Sequence, residues 1–208
     1  MSHSYSLKGL YAITDGSVGD ELFAKVEQAL QGGISILQYR DKSTDKDKRL
    51  AEAKTLCAYC HQYNVPLIIN DDVQLAIASH ADGVHLGSED GSFLDARNLL
   101  GPESIIGVSC YNDIALAKKA EVIGADYVAF GSFFPSLTKP SAPQATIQTL
   151  RDAKAQLKSP ICCIGGITLE NAPLLIQEKP DMLAVISTIF ASDNIAKSSN
   201  TFKQLFNS

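Results

Sequence analysis

Eight short apolar runs recur at nearly regular intervals along the 208-residue chain, and most of them end at a polar residue or a glycine. This pattern is typical of buried parallel strands, because helices cover both faces of such a sheet and leave no polar alternation along the strands. The candidate strands are residues 10–13, 36–39, 66–69, 83–86, 105–108, 127–130, 161–164 and 182–186.

Amphipathic helical patterns separate these runs. In the first pattern Leu22, Val26 and Leu30 recur at helical spacing before a Gly-Gly pair, which is a common end of a helix. The predicted helices are residues 21–31, 45–63, 73–79, 92–100, 112–123, 146–157, 169–178 and 198–206.

The alternation of strand and helix predicts a parallel sheet. Eight regular units favour a closed (β/α)8 TIM barrel, although an open doubly wound sheet is also compatible with the pattern. A minimal barrel needs about 200 residues. We therefore expect one barrel domain over residues 1–208, with no linker or low-complexity stretch.

The formal net charge of −5 gives the chain no general attraction for nucleic acid or an anionic membrane. The first residues lack a basic flank followed by an apolar stretch, and no apolar run approaches the ~18 residues of a membrane span. We expect a cytoplasmic protein that binds small molecules, without a nucleic-acid or membrane partner. A homo-oligomer is compatible with the sequence.

The five cysteines are an odd number in a chain without a predicted signal peptide, which favours reduced thiols over disulfides. Cys57, Cys60 and His61 have the spacing of a c-type haem attachment motif, but they lie within a predicted amphipathic helix. We interpret them as ordinary helix residues. The adjacent Cys162 and Cys163 lie within a predicted strand, and we interpret them as core residues.

In a β/α barrel the chemistry gathers at the carboxyl ends of the strands, so the polar residues there are predicted to converge. Gln38, Arg40 and Lys42 stand at the end of the second run, and strand alternation sends all three to one side. Three hydrogen-bond donors, two of them cationic, would form an anion clamp at the barrel mouth.

Acidic side chains follow the next two runs. Asn70 and Asp71 come after the third run, and Asp90 comes after the fourth. Two carboxylates beside a cationic clamp suit Mg²⁺ bound together with a diphosphate, since this ion takes one or two carboxylates plus substrate phosphates. The alternative is helix capping, by Asp71 or Asp72 at the third helix and by Asp90 at the fourth.

The last two runs carry a phosphate-site pattern. Gly165 and Gly166 follow the seventh run, and Ile186 and Ser187 end the eighth. Barrels often bind a phosphate at this position through backbone N–H groups and a helix N-terminus, and glycine lets the backbone approach a ligand closely. The alternative is that the Gly-Gly pair forms an ordinary turn.

Residues 137–146 contain two prolines and several small residues, which predicts a mobile loop over the site after the sixth strand. This lid would contribute the side chains of Ser136, Thr138 and Lys139. Alternatively it is only a long connection.

Ser109 adds a hydroxyl at the end of the fifth strand, and we interpret His85 in the fourth as a packed barrel residue rather than a catalytic base. The sequence shows no Ser/His/Asp set and no zinc-ligand spacing. The predicted site therefore holds anions and a metal but lacks an evident nucleophile.

Taken in order, these motifs resemble the thiamine-phosphate synthase (thiamine-phosphate pyrophosphorylase) family. The resemblance covers residues 9–206 and rests on LYAITD, LQYRDK, IINDD, ADGVHLG with SED, IGVS, GADYVAFGSFFPSLTK, IGGI and AVIS. It implies a (β/α)8 transferase of thiamine biosynthesis. Such an enzyme joins hydroxymethylpyrimidine diphosphate to hydroxyethylthiazole phosphate with Mg²⁺ and releases pyrophosphate.

The resemblance also implies roles for individual residues. Those that would bind the pyrimidine diphosphate are Gln38, Arg40, Lys42, Asn70, Ser109 and Lys139. The Mg²⁺ ligands would be Asp71 and Asp90. Those that would bind the thiazole phosphate are Ser136, Thr138, Gly166, Ile186 and Ser187. The residues expected to take part in catalysis are Arg40, Lys42, Lys139 and Ser109.

A mechanism follows from this chemistry. An aminopyrimidine can stabilise positive charge on its exocyclic CH₂, so the C–O bond to diphosphate can break before the thiazole nitrogen attacks. The enzyme then needs to stabilise the departing negative charge and to position the thiazole. We expect no covalent enzyme intermediate.

The chain departs from the family pattern at a few places. Ser88 stands where Gln is usual, Ser136 where Thr is usual, and Pro180 replaces a Gly-Ala pattern; the lid also lacks the usual Gly. Two rivals are a thiazole tautomerase of the same family and a non-catalytic barrel that binds thiazole phosphate. The residues that favour the synthase over the tautomerase are Gln38, Lys42, Asp71, Asp90 and Lys139. A non-catalytic barrel would not need Asp71 or Asp90, so turnover that depends on the metal would separate it from the synthase.

Overall fold

The computed structural model describes residues 5–87, 92–135 and 144–207, and in these ranges eight parallel strands form a closed barrel. The strands pair in sequence order, and the first pairs with the last. They are β1 (Gly9–Ile13), β2 (Ile36–Tyr39), β3 (Leu67–Asn70), β4 (Gly83–Leu86), β5 (Ile105–Tyr111), β6 (Tyr127–Phe130), β7 (Ile161–Ile164) and β8 (Met182–Val185). The predicted (β/α)8 barrel is confirmed, and the open-sheet alternative is wrong.

Helices surround the sheet in the same described ranges. They are α1 (Gly19–Gln31), α2 (Lys46–Gln62), α3 (Val73–Ser79), α4 (Phe93–Leu100), α5 (Ile114–Val122), α6 (Ile147–Gln156), α7 (Ala172–Ile176), α8 (Ser187–Phe190) and α9 (Ile195–Leu205). In the part of the chain that the structure describes, no helix combines the length and apolar character needed to cross a bilayer.

The structure corrects the predicted elements mainly in the last quarter of the chain. The helix α7 is shorter than predicted, and the short helix α8 was not predicted at all. The helix α9 begins earlier than predicted because the Asn194 side chain caps it, accepting a hydrogen bond of 2.9 Å from the backbone N–H of Lys197. The strand β5 is longer than predicted and reaches Tyr111 through an irregular register after Ser109.

The barrel has an interior core that is separate from the layer between the sheet and the helices. Strand alternation sends Gln38 inward, where it bonds to Tyr11, and Tyr39 outward toward the helices. Cys162 packs in the interior and Cys163 in the outer layer, so both are core residues as predicted.

The cysteines of α2 are structural. Cys57 and Cys60 are buried, and all five cysteines of the chain are free thiols. The Cys57 thiol donates a hydrogen bond of 3.1 Å to the backbone oxygen of His80, while His61 contacts the carboxylate of Asp82 at 3.0 Å. The haem-like spacing is therefore a feature of helix packing, as interpreted above.

An aspartate precedes each of the strands β4, β6 and β8. Its carboxylate accepts a hydrogen bond from a backbone N–H at the start of the preceding strand, at the amino-terminal rim of the barrel. The pairs are Asp82 with Leu67 (2.8 Å), Asp126 with Ile106 (2.7 Å) and Asp181 with Ile161 (2.9 Å). This repeated contact fixes neighbouring strands at the rim opposite the carboxyl ends, where barrels place residues for stability.

Glu52 joins three elements behind the strand β2. Its side chain is buried in α2, and its two carboxylate oxygens accept hydrogen bonds from the backbone N–H of Gly19 at 2.8 Å and from the Tyr39 hydroxyl at 2.6 Å. Burial and the neighbouring Glu52 carboxylate raise the pKa of Tyr39 well above its usual value, so the tyrosine remains a donor. This contact holds β2 against the first two helices.

We predict that Glu52→Ala lowers the free energy of unfolding by about 3 kcal/mol, because it leaves a buried N–H and a buried hydroxyl without their acceptor. Urea unfolding followed by circular dichroism measures this. Glu52→Gln, which keeps a carbonyl acceptor, should lose about half as much. A loss below about 1 kcal/mol for Glu52→Ala would show that Glu52 does not stabilise the fold.

Candidate active site

A cavity of about 410 Å³ opens at the carboxyl ends of the strands. Its lining includes seven of the residues predicted to bind substrate, contributed by β2, β3, β5 and the segments that follow β7 and β8. They are Gln38, Arg40, Asn70, Ser109, Gly166, Ile186 and Ser187. The described part of the predicted site is therefore brought together at one rim of the barrel.

A second depression, a polar groove of about 530 Å³, lies beside this cavity. Lys42 and Asp71 line the groove, Arg40 lines the cavity, and Asn70 lines both. The predicted cationic clamp is thus divided between two connected spaces. A ligand that extends from the cavity into the groove reaches both Arg40 and Lys42.

Two carboxylates of the groove have partners of their own. Asp41 contacts Lys48 at 2.7 Å and accepts two hydrogen bonds from Ser43. Burial alone would raise the pKa of Asp41, but Lys48 and Ser43 outweigh burial and lower it to about 2. Asp72 caps α3 through the backbone N–H of Leu75 and contacts Arg49 at 3.0 Å. The capping alternative is confirmed for Asp72.

Asp71 does not cap the helix. It adopts a left-handed backbone conformation with φ of 65°, and its backbone N–H donates a hydrogen bond of 2.9 Å to the oxygen of His85 on the neighbouring strand β4. The Asn70 amide donates to its carboxylate. These contacts fix the Asp71 carboxylate at the end of β3, in the groove that also contains Lys42.

Arg40 is positioned through its backbone by Thr14 at the end of β1. The Thr14 hydroxyl accepts a hydrogen bond of 2.8 Å from the Arg40 N–H and donates one of 3.2 Å to the Arg40 oxygen. Among the described residues, neither Arg40 nor Lys42 forms an ion pair with a carboxylate. Both cations can therefore pair with a ligand anion.

The two glycines after β7 have a structural reason that the sequence analysis did not identify. Both have positive φ, 104° for Gly165 and 62° for Gly166. A side chain at Gly165 would collide with Ser132, and one at Gly166 would collide with the backbone oxygens of Phe134 and Pro135. The glycines therefore allow the segment after β6 to pack against β7. They leave the predicted phosphate contact as a proposal.

The segments that follow β7 and β8 are connected to each other. The Thr188 hydroxyl in α8 donates a hydrogen bond of 2.8 Å to the backbone oxygen of Ile167, and the Asn171 amide donates one of 3.0 Å to the backbone oxygen of Gly166. The helix α8 begins at Ser187, so its first backbone N–H groups have no partner within the helix. These groups lie at the rim of the cavity.

A series of hydrogen-bonded side chains crosses the barrel at the floor of the cavity. Its four links measure 2.8, 2.8, 2.9 and 2.8 Å and connect, in order, Gln38, Tyr11, Tyr127, His85 and Ser109. The His85 ring stacks on Tyr127 with centroids 5.6 Å apart, which agrees with its interpretation as a packed barrel residue. The sequence analysis did not identify Tyr11 and Tyr127. Strand alternation could have indicated that the Tyr11 side chain points into the barrel.

Several predicted site residues lie outside the described residues. They are Asp90, Ser136, Thr138 and Lys139, together with Ser88 and most of the predicted lid. The last residue of that lid, Thr146, is described and is the N-cap of α6. The N-cap of α4 is Ser92, whose side chain accepts a hydrogen bond from the backbone N–H of Asp95.

The comparisons with known proteins agree on one family. A family described as thiamine monophosphate synthase matches residues 10–189. The thiamine-phosphate synthase of Nitrosococcus oceani is 49% identical over 205 residues, covering 98% of this chain and 94% of that protein. The corresponding enzyme of Thiobacillus denitrificans is 47% identical over 199 residues, covering 95% and 94%.

One solved structure supports the same family, and another supports the fold. The thiamine phosphate pyrophosphorylase of Pyrococcus furiosus matches with a TM-score of 0.88 at 32% identity, covering 97% of this chain and 96% of that chain. A 3-hexulose-6-phosphate synthase matches with a TM-score of 0.73 at 12% identity, covering 95% and 99%. The second likeness shows the barrel fold alone.

A closed β/α barrel with polar side chains gathered at the carboxyl ends of its strands is the architecture of a β/α-barrel enzyme. The family match and the relatives then make the assignment specific: the chain belongs to the thiamine monophosphate synthase family. Its activity is that of a thiamine-phosphate synthase, a transferase of thiamine biosynthesis. The family and activity predicted from the sequence are confirmed.

Proposed function

We propose that the enzyme joins 4-amino-2-methyl-5-hydroxymethylpyrimidine diphosphate to 4-methyl-5-(2-hydroxyethyl)thiazole phosphate and releases pyrophosphate. One observation carries this proposal: two different sets of groups suited to anions lie at the same carboxyl-terminal rim of the barrel. Arg40 lines the cavity and Lys42 lines the adjoining groove, and neither has a carboxylate partner in the described residues. Gly166 and the start of α8 line the cavity together with Arg40.

The diphosphate would occupy the passage from the cavity to the groove. Arg40 offers a planar fork for phosphate oxygens at the cavity end, and Lys42 offers a point charge in the groove. Asn70 lies between these spaces. Lys139, outside the described residues, would add a third cation. The pyrimidine ring would lie deeper, over Gln38 and Ser109.

The thiazole phosphate would bind at the same carboxyl-terminal rim, at the segments that follow β7 and β8. Backbone N–H groups at Gly166, Ile186 and Ser187 are suited to phosphate oxygens because the N–H groups at a helix start have no partner within the helix. Ser136 and Thr138, which lie outside the described residues, would supply hydroxyls. The connection of the two segments through Thr188 supports a preformed phosphate site.

Mg²⁺ would be held by Asp71 and Asp90. The donor chemistry of the described half fits this ion, because the Asp71 carboxylate lies in the groove that also contains Lys42. Within the described ranges no three His, Cys, Asp or Glu side chains gather into a metal site, so the proposal relies on substrate phosphate oxygens as further ligands. When bound, the ion would neutralise charge on the diphosphate.

The residues of the chain support departure of the diphosphate before attack by the thiazole nitrogen. Arg40 and Lys42 would stabilise the negative charge that develops on the departing group. Binding of the thiazole phosphate at Ser187 would position the thiazole nitrogen for attack. Cys162 lines the cavity, but burial raises the pKa of its thiol well above the usual value, so it remains a poor nucleophile. This supports a mechanism without a covalent enzyme intermediate.

The proposal is tested by incubating the purified protein with both substrates, with and without Mg²⁺, and following thiamine phosphate by chromatography. We expect product that requires the metal and forms in equal amount with pyrophosphate. Folded protein that binds thiazole phosphate but forms no product with Mg²⁺ present would contradict the proposal. Rapid quenching with mass spectrometry of the protein should show no pyrimidine adduct.

We predict that Lys42→Ala lowers kcat/KM for the pyrimidine diphosphate by about 100-fold, because a cation that stabilises a leaving group in a confined site contributes on this scale. Steady-state kinetics measure this. Lys46→Ala is the matched control, since Lys46 is an exposed lysine at the start of α2. Similar kinetics for the two variants would remove Lys42 from the site.

We predict that Asp71→Asn raises the Mg²⁺ concentration needed for half-maximal turnover by about tenfold, because loss of one carboxylate weakens a site with few protein ligands. A metal titration of turnover measures this. Asp72→Asn is the matched control, since asparagine also caps a helix. An unchanged titration for Asp71→Asn would show that Asp71 is not a ligand.

A further inference from the structure

The hydrogen-bonded series of side chains at the cavity floor contains two hydroxyls that are closed off from water. Tyr11 and Tyr127 are 1% and 0% exposed, and their hydroxyls bond to each other at 2.8 Å. Burial raises the pKa of both phenols well above their usual value, so each keeps its hydrogen. A buried hydroxyl without an acceptor costs about 1–3 kcal/mol. Each hydrogen of the chain therefore needs a defined acceptor.

When each hydrogen is assigned to an acceptor, all the hydrogen bonds of the series are donated in one direction, from Gln38 toward Ser109. The Gln38 amide nitrogen donates to the Tyr11 oxygen, so the Tyr11 hydrogen goes to Tyr127. The Tyr127 hydrogen then goes to Nδ1 of His85, which must be unprotonated. The other ring nitrogen, Nε2, consequently carries the hydrogen and donates it to Ser109.

The donor and acceptor roles in this series cannot be reversed one hydrogen bond at a time. Reversing only the Tyr11–Tyr127 link or only the Tyr127–His85 link would give one buried tyrosine oxygen two donors and leave the hydrogen of that same hydroxyl without an acceptor. All four links would have to reverse together, beginning with rotation of the Gln38 amide. A buried network of this kind is favourable when every member is satisfied and unfavourable when one is not.

Both ends of the chain face the cavity. Gln38 uses its amide nitrogen for Tyr11, and its amide oxygen has no partner within the described ranges. Ser109 accepts from His85, so its own hydrogen is available to a ligand. The cavity floor thus presents a hydrogen-bond acceptor at Gln38 and a donor at Ser109.

We propose that Tyr11, Tyr127 and His85 are positioning residues that determine specificity: through Gln38 and Ser109 they make the site select a 4-aminopyrimidine over the corresponding 4-oxopyrimidine. The inference rests on the proposed function, since it concerns the ring of the pyrimidine diphosphate. None of the three residues needs to take part in the chemical step.

The chemistry of the two rings explains the selection. A 4-aminopyrimidine has N–H donors on its amino group and acceptor nitrogens in its ring, which complement the Gln38 oxygen and the Ser109 hydroxyl. In the 4-oxo analogue the exocyclic group is an acceptor and a ring nitrogen carries a hydrogen. Sites built to hydrogen-bond one pattern reject the other strongly, because buried polar groups remain unpaired.

The test compares kcat/KM for the amino and 4-oxo pyrimidine diphosphates in the wild-type protein and in Tyr127→Phe. We expect Tyr127→Phe to reduce the preference for the amino substrate at least about tenfold, since the Ser109 hydroxyl is no longer fixed as a donor. Tyr39→Phe is the matched control, because it also removes a buried hydroxyl but lies outside the cavity. It should leave the preference unchanged.

The outcomes separate a positioning role from a structural one. Lower turnover of Tyr127→Phe with an unchanged preference would overturn the proposal. His85→Gln, whose amide can accept at one end and donate at the other, should retain more of the preference than His85→Leu. Equal preferences in these two variants would also count against it.

A measurement without substrate keeps the inference independent of the proposed reaction. In ¹⁵N-histidine NMR of the wild-type protein, the His85 resonances should show an unprotonated Nδ1 and a protonated Nε2 at neutral pH. The His85→Gln variant assigns them among the four histidines of the chain. The opposite tautomer would overturn the proposed direction even if thiamine phosphate forms. The expected tautomer without product would contradict the proposed function and leave the direction intact.

Discussion

Closure of the sheet is the constraint on which the rest of the structure depends. Pairing of β1 with β8 brings every carboxyl end to one rim and encloses an interior just wide enough for side chains. Polar groups inside such a barrel cannot rely on water, so they persist only when they satisfy one another. The series of hydrogen-bonded side chains that connects Gln38 to Ser109 is the result. The direction in which its hydrogens are donated follows from the same confinement.

The two rims of the barrel have different roles. At the amino-terminal rim, Asp82, Asp126 and Asp181 hold neighbouring strands through their backbone N–H groups. At the carboxyl-terminal rim, Thr14 holds the backbone of Arg40 and leaves the guanidinium for a ligand. Side chains that stabilise the fold are thus separate from most of those that face the cavity, and loops at the functional rim can vary without loss of the barrel.

The strands, the barrel and the gathering of Gln38, Arg40 and Asn70 were predictable because they depend on local periodicity and on the common rim of parallel strands. The helix α8 was not, since four residues give no period, and the cap at Asn194 was overlooked. Alternation along a strand predicts that the side chains of Tyr11 and Gln38 point into the barrel. It does not predict which inward side chains contact each other, because that depends on the stagger between strands. The collision of Gly166 with Pro135 likewise depends on a tertiary contact that sequence spacing does not reveal.

Charge is distributed unevenly in a way that suits anionic substrates. The chain carries a formal net charge of −5, yet Asp41 and Asp72 in the groove are paired with Lys48 and Arg49. Exposed charges farther than about 8 Å from a ligand are largely screened at physiological ionic strength. The proposed diphosphate would therefore respond mainly to Arg40 and Lys42 rather than to the acidic surface. Local pairing of the nearby carboxylates thus keeps their charge from opposing the anion binding that we propose for this rim.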